Sequence, residues 1–459
     1  MTAPAAVNAA DAPPASWRET LSRLLTLAWP IVLARIGLMS MGLVDSIAVG
    51  RFSARELGYH ALGWAPTAIV VTTGVGLLLG AQVVTARRVG EGRSEMTGAV
   101  LRRGLVYAFW IGVVTTAALA LGGPTLMRSL GLEPDLARGA GRALQVFALS
   151  LTPVLLGETL IFWLEGLGRP RPGMWAMLAA NIVNLALNLV LVTGSFGLPA
   201  LGAVGAGWAT FGARLTLFGA LAFYVLRMPD ARAHGVFAPT PREPEAAREQ
   251  RRVGYGAGAS WFVEAGAFVG MNVVAGWLGA VQVAAWAVFL NYSAMVFMLP
   301  LGLSGATAVL VGNAFGAGDR RAVVRAAVTG AGVVTVLATV IALLTVPAAG
   351  LVASAYATDP VLIAAAAAAL VFTAAFFPPD ALQAVMAQAS RARGDVLIPT
   401  LIHVVCYAGL MLPLGWWLAH RAGHGLRGCL EAVLLASYVA GGLQAIRFAW
   451  TSRRTAGRA

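Results

Sequence analysis

Twelve runs of predominantly apolar residues follow one another along the chain, each about as long as the roughly 20 residues a helix needs to cross the hydrocarbon of a bilayer. They fall near residues 24–50, 59–86, 99–123, 136–166, 174–194 and 204–226, and then near 254–278, 283–314, 322–346, 360–390, 396–419 and 428–450. Several exceed the bilayer minimum, which suits tilted or kinked helices. Pro30, Pro66, Pro153, Pro300, Pro378, Pro379 and Pro413 lie inside them, each removing a backbone donor where neighbouring helices can re-satisfy the freed carbonyl. The chain is 58% hydrophobic and only 12% charged, against about 25% charged in soluble domains. The expected fold is therefore an all-α membrane protein of twelve transmembrane helices.

The twelve runs are two sets of six. Gly76, Gly90, Gly92 and Gly104 precede Gly302, Gly316, Gly318 and Gly330 by 226 residues, and Pro153, Gly168 and Gly202 precede Pro379, Gly394 and Gly428 by the same interval. Seven helix-punctuating matches in one register mark a duplicated unit. Between the halves, Arg227 to Arg252 is dense in Arg, Glu and Pro and reads as a solvated linker. The expected organisation is a tail over 1–23, a first lobe over 24–226, a linker over 227–253, a second lobe over 254–450 and a tail over 451–459. The first sixteen residues read as a disordered tail rather than a signal peptide.

Net charge is +13 with histidine neutral, and the chain has no lysine, so its basic charge is all arginine. In a soluble protein that balance would suggest nucleic acid, but here the arginines sit in short loops between apolar runs, so no nucleic-acid partner is expected. One set of loops holds Arg87, Arg88, Arg93, Arg102, Arg103, Arg169, Arg171, Arg320, Arg321, Arg325, Arg391 and Arg393; the alternate set holds few. The positive-inside rule then puts both termini and the linker in the cytoplasm. Six spans per half is an even number, so the two lobes are related by a pseudo-two-fold axis along the membrane normal, the parallel-repeat design of transporters.

Charge at membrane depth is costly, which makes each intramembrane acid a functional candidate. Glu264 lies about a dozen residues beyond Arg251 and Arg252, or roughly 18 Å into the membrane, and Asp380 lies eleven residues before Arg391, at a similar depth from the same side. Two carboxylates at one level can share a site that takes up a proton or another cation. Pro378 and Pro379 are expected to break the helix beside Asp380. Phe268 and Phe376, one turn from each acid, could form an aromatic wall for an organic cation, or plain packing. Asp45 sits in the outer part of the first span, where function and an interfacial ion pair with Arg51 are equally open. Asn184 and Asn188, at i and i+4, share a helical face and could bond neighbouring helices or line a polar cavity. Glu158 is expected to pair with Arg35 or Arg214, and Glu165 with Arg169.

No enzyme signature survives the same scrutiny. The five His residues form no ligand cluster, Cys406 and Cys429 lack metal-ligand spacing, and there is neither a Walker loop nor a G-x-S-x-G. No cofactor is expected, and without an ATP site transport would be driven by an ion gradient or be passive.

Several stretches, LAWPIVLARIGLMSMGLVDSIAVGR, EGLGRPRPGMW, FGLPALGAVGAGWAT, SWFVEAGAFVG, LNYSAMVFMLPLGLSGATAVLVGNAFGAGD and PPDALQAVMAQASRARGD, resemble in order the multidrug and toxic compound extrusion (MATE) family in its bacterial NorM-like branch. The resemblance implies a monomer in the bacterial inner membrane that exports cationic or amphipathic drugs in exchange for Na⁺ or H⁺, by two six-helix lobes rocking between inward-open and outward-open states. Glu264 and Asp380 match the acidic pair of the family's second-lobe cation site, where Na⁺ could bind. Asp45 matches the first-helix aspartate, Asn184 and Asn188 its amide companions, and Asn291 the eighth-helix asparagine. Some Na⁺-coupled relatives carry a tyrosine where this chain has Phe376, which offers no oxygen to a hard cation, so both coupling ions stay open. Two rival readings are a lipid-linked oligosaccharide flippase of the same broader fold group, which would want a cavity lined with several arginines, and a membrane-embedded enzyme.

Overall fold

The computed structural model describes residues 16–239 and 243–456, and helices take up nearly all of them. The first six spans are α1 (Trp17–Phe52), α2 (Ala54–Gly90), α3 (Ser94–Ser129), α4 (Pro134–Gly166), α5 (Arg171–Leu191) and α6 (Gly202–Arg227). The second six are α7 (Pro244–Gly276), α8 (Ala280–Gly316), α9 (Arg320–Tyr356), α10, α11 (Leu397–Arg421) and α12 (Leu426–Ala456). The tenth span, α10, is a bent pair, Pro360–Val371 and Thr373–Ala392, that turns by 46°.

Several spans begin where the sequence offers a capping oxygen. Ser16 accepts from the Glu19 amide at 3.2 Å, Ser53 ends α1 and caps α2, Asp319 caps α9 and Asp359 caps α10. The two starts furthest from expectation are those of α1 and α7. Helix α1 starts at Trp17 rather than 24, and α7 starts at Pro244, well inside the stretch read as linker, with proline at a first-turn position where its missing N–H costs nothing. The disordered-tail expectation falls on residues 1–15, outside the described residues.

The first part of the linker is also not a solvated strand. Met228, Ala231 and Val236 are buried against the base of the first lobe. The Gly98 amide donates to the His234 carbonyl at 2.7 Å, and Arg102 donates to the carbonyls of Gly235 and Val236 at 2.6 Å each. Arg169 grips Asp230 with both guanidinium nitrogens, at 2.9 and 2.5 Å, instead of forming the local pair with Glu165 that their spacing suggested. A few apolar side chains and a row of backbone carbonyls were enough to order a segment whose average composition reads as unstructured.

The duplication shows in how the lobes meet. A Cβ at Gly90 of α2 would strike the Asn313 carbonyl of α8, and a Cβ at Gly316 of α8 would strike the Arg87 carbonyl of α2; residues 87 and 313, like 90 and 316, are 226 apart. In the same way Gly76 of α2 presses on Gly258 of α7, while Gly302 of α8 presses on Val32 of α1. The contacts exchange under the repeat, as those across a two-fold axis must.

Burial shows where the lobes part. Between Ala54 and Val71 only His60, Gly63, Thr67 and Val71 of α2 are buried, one face at helical spacing, whereas from Leu78 to Arg87 every residue is buried. In α8, likewise, every residue from Gly302 to Val309 is buried, while Ala280 to Leu299 bury one side. The two lobes are thus sealed together at their arginine-rich end and diverge toward the other.

Candidate cation-binding site

In the second lobe Glu264 of α7 and Asp380 of α10 converge. The side-chain amide of Gln383, one turn after Asp380, stands 3.5 Å from Glu264 Oε1 and 3.5 Å from Asp380 Oδ1, so one donor bridges both acids. Tyr407 of α11 donates its hydroxyl to Asp380 Oδ1 at 3.3 Å, and His403 Nδ1 lies 3.5 Å from Glu264 Oε2. His403 is buried, with neither ring nitrogen hydrogen-bonded among the described residues. Helix α11 places both: it widens into a π-helical turn over Val404–Met411, which carries Tyr407 about one turn beyond His403 toward the same acids. Asp380 and Tyr407 are sealed in, while the Glu264 side chain keeps 16% exposure, so Glu264 is the accessible edge of the site.

Two further features complete the second-lobe site. Asp380 and the unpartnered Ser293 hydroxyl line a cavity of about 10 Å³, roughly the room one water or small cation needs. Arg391, read from sequence as a loop arginine, is buried, donating to Ser260 at 2.7 Å and to Gln388 at 3.1 Å, and its charge acts on Glu264. Among the described residues no group of three or more His, Cys, Asp or Glu could hold a metal ion.

The first lobe holds a separate polar centre. Asp45 is buried and does not pair with Arg51, which is exposed. Its Oδ1 accepts from Asn184 at 2.9 Å and from Asn188 at 2.6 Å, and the Thr210 hydroxyl donates to Oδ2. Arg214, close enough to act on Asp45, donates instead to Ser150 at 2.7 Å and lies over the Trp64 ring. Arg35 is shared between Glu158 at 2.6 Å and Glu165 at 3.3 Å, and Gln82 donates to the other Glu165 oxygen at 2.6 Å. One guanidinium between two carboxylates makes the expected Glu158–Arg35 pair and replaces the expected Glu165–Arg169 pair.

Not every sequence candidate joins a site. Phe268 packs on Tyr407 at 6.1 Å between ring centroids and so does border the acids. Phe376 is buried in an aromatic core against Phe289 and Phe377. Asn291 is exposed and donates to the Ala287 carbonyl of its own helix at 2.9 Å. Asn184 and Asn188 are buried donors to Asp45 rather than cavity lining. Sequence reasoning passed over Gln383, Tyr407, His403, Ser260 and Thr210, all neutral or unremarkable in apolar helices; the i, i+4 pairing of His403 with Tyr407 was the one signal available.

Comparison with known proteins bears on the whole chain. The MatE family model matches residues 30–190 and again 257–417, so the second match starts 227 residues after the first (257 against 30), close to the glycine register. A Caulobacter vibrioides protein described as a probable multidrug resistance protein NorM is 52% identical over 439 residues, covering 95% of this chain and 93% of that protein. The multidrug resistance protein PmpM of Pseudomonas aeruginosa is 32% identical over 445 residues, covering 95% and 93%. Among solved structures, the outward-facing conformation of a multidrug resistance MATE family transporter of the MOP superfamily superposes with a TM-score of 0.88 at 18% identity, over 95% of this chain and 96% of that one. With one family model matched in each lobe and full-length relatives on either side of it, the chain belongs to the MatE family.

Proposed function

We propose that the protein is a multidrug efflux antiporter of the bacterial inner membrane, both termini cytoplasmic, which as a monomer exports cationic or amphipathic organic compounds in exchange for H⁺ or Na⁺. The observation that carries this reading is the meeting of Glu264 and Asp380 under one Gln383 amide, deep in a span. Two like charges so placed are stable when a cation sits with them, and a cation that binds one lobe arrangement better than the other shifts the equilibrium between them. Relatives called multidrug resistance proteins support the substrate class. If the arginine-rich end faces the cytoplasm, the sealed end is the inner one and the arrangement is outward-open. The proton is favoured by the buried imidazole beside Glu264; Na⁺ is favoured by the small cavity that Asp380 shares with Ser293. The flippase reading wanted a cavity lined by several arginines, but Arg35 is taken up by Glu158 and Glu165 and Arg214 by Ser150.

The test is efflux of a fluorescent organic cation from vesicles under separately imposed H⁺ and Na⁺ gradients. Wild type should respond to one gradient, and Glu264→Gln and Asp380→Asn should each lower that response tenfold or more, with Asp45→Asn lowering it as well. Unchanged gradient-driven efflux in all three variants would remove the reading.

A further inference from the structure

We propose that the crevice between α3 and α7 at the arginine-rich end is a binding site for an anionic phospholipid. The crevice encloses about 450 Å³; Leu77, Arg103, Val106, Tyr107 and Trp110 line it from the first lobe and Arg251 from the second. Its chemistry is graded along α3. Arg103 lies in the third turn of the helix, Val106 and Tyr107 come one turn on, and Trp110 another turn beyond, about 10 Å deeper into the span than Arg103. Val106 and Trp110 are each 60% exposed, so the lower wall is open to acyl chains. A phospholipid has the same order, phosphate at the interface and hydrocarbon below, whereas a free anion would have no use for the apolar wall.

The Arg103 guanidinium is the second observation. Its Nε and Nη1 are covered and have no hydrogen-bond partner among the described residues. Arg88, Arg102 and Arg251 act on it with like charge, against the single opposing charge of Glu243. Arg102 beside it is held to the Gly235 and Val236 carbonyls and so keeps its place in the cluster. Gathering cations at a low-dielectric boundary is unfavourable without an anion, and a lipid phosphate between Arg103 and Arg251 supplies one with charge-assisted bonds to both. The two arginines belong to different lobes. A lipid clamped between them therefore binds only while that end is sealed, and favours the conformation seen here. This site does not depend on the antiport reading.

The experiment is mass spectrometry of the intact, detergent-released protein carrying its lipids, after exchange into phosphatidylglycerol, phosphatidylcholine or an equal mixture. Wild type should retain phosphatidylglycerol over phosphatidylcholine by roughly tenfold, the effect of two arginines near one headgroup. Arg103→Gln with Arg251→Gln should abolish the preference, while Arg103→Lys and a distant control, Arg128→Gln at the other end of α3, should keep it. Trp110→Ala should weaken retention of both lipids alike. Equal retention of the two lipids by wild type, or an undiminished preference in the double variant, would overturn the proposal. So would displacement of the bound lipid by millimolar inorganic phosphate, which would mark a plain anion site.

Discussion

A carboxylate in a helix interior is a poor guest unless its lone pairs are met, and the two acidic centres meet them differently. Asp45 has three neutral donors, so the Thr210 hydroxyl can be removed at little change of shape by Thr210→Val. A donor to a charged buried group is worth about 1.5–3 kcal/mol, so the variant should lose thermal stability by an amount of that order. An unchanged melting temperature would show that the Thr210 hydroxyl adds nothing at Asp45. Asp380 leans on two longer bonds, from Gln383 at 3.5 Å and from Tyr407 at 3.3 Å, and the Tyr407 ring is fixed by Phe268 and His403. Tyr407→Phe should therefore leave folding intact and raise the coupling-ion concentration for half-maximal efflux roughly fivefold, the equivalent of about 1 kcal/mol. An unchanged concentration dependence would show the hydroxyl to be idle. The acids themselves were legible in the sequence because charge in an apolar run has no other excuse. Their neutral partners were not, since a tyrosine or glutamine in a helix is as often packing, and only the register of α7 against α10 and α11 brings Gln383 and Tyr407 to them.

At the scale of elements, α10 and the segment after α6 depart most from what their residues suggest. Pro378 and Pro379 were expected to break α10 where they stand; the helix runs through them and bends at Phe372, about a turn and a half earlier. Two prolines leave the carbonyls one turn upstream without donors and crowd them with their rings. At the bend itself the backbone tightens: Phe372 N–H bonds back to Ala369 and Ala375 N–H to Phe372, both three residues away, at 3.2 Å. Pro379→Ala should return one donor, reduce the bend and slow transport severalfold without lowering thermal stability; transport at the wild-type rate would detach the bend from function. The segment after α6 was legible only as polar. Besides its buried apolar side chains and the carbonyls that Gly98 and Arg102 meet, it is held by the Arg169 side chain reaching Asp230, a contact distant in sequence. That hydrogen bond holds the Asp230 carboxyl down to about 2, below the ordinary carboxylate value. The folded value being the lower one, its contribution is complete above about pH 4 and is lost as pH falls toward 2. Because a third of the side chain is exposed, that contribution is small, and Asp230→Asn should flatten only the acid limb of an unfolding curve measured between pH 5 and 2.

Across the whole molecule, the duplication was legible in the sequence, and two of the glycine pairs spaced at one interval, Gly76 with Gly302 and Gly90 with Gly316, turned out to be points where the lobes touch. Which end is sealed was not, because a state of a two-state molecule is a balance between surfaces, and no single run of sequence encodes it. The seal itself rests on Arg87, whose sequence context marked it only as a topology signal. From α2 its guanidinium donates to the carbonyls of Ala392 at 2.7 Å and Arg391 at 3.0 Å, reaches Glu249 of α7 and lies over the Phe315 ring of α8. It thus ties the first lobe to three spans of the second, and one of them, α10, carries Asp380 a little over three turns away on the same rigid helix. Any shift of α10 that follows cation binding must move the carbonyls that Arg87 holds. Arg87→Gln removes charge-assisted bonds worth about 1.5–3 kcal/mol each, enough to change the ratio of the two lobe arrangements by tenfold or more. Arg87→Lys keeps the charge but cannot span two carbonyls, and should fall between wild type and Arg87→Gln. Spin labels at Leu130, at the end of α3, and Tyr356, at the end of α9, would read the change as a distance distribution. Arg87→Gln should move population toward shorter separations as the splayed end closes, and the addition of the coupling ion should then shift it less than in wild type. Identical distributions in wild type and both variants would show that the lobes are held together by their glycine crossings alone.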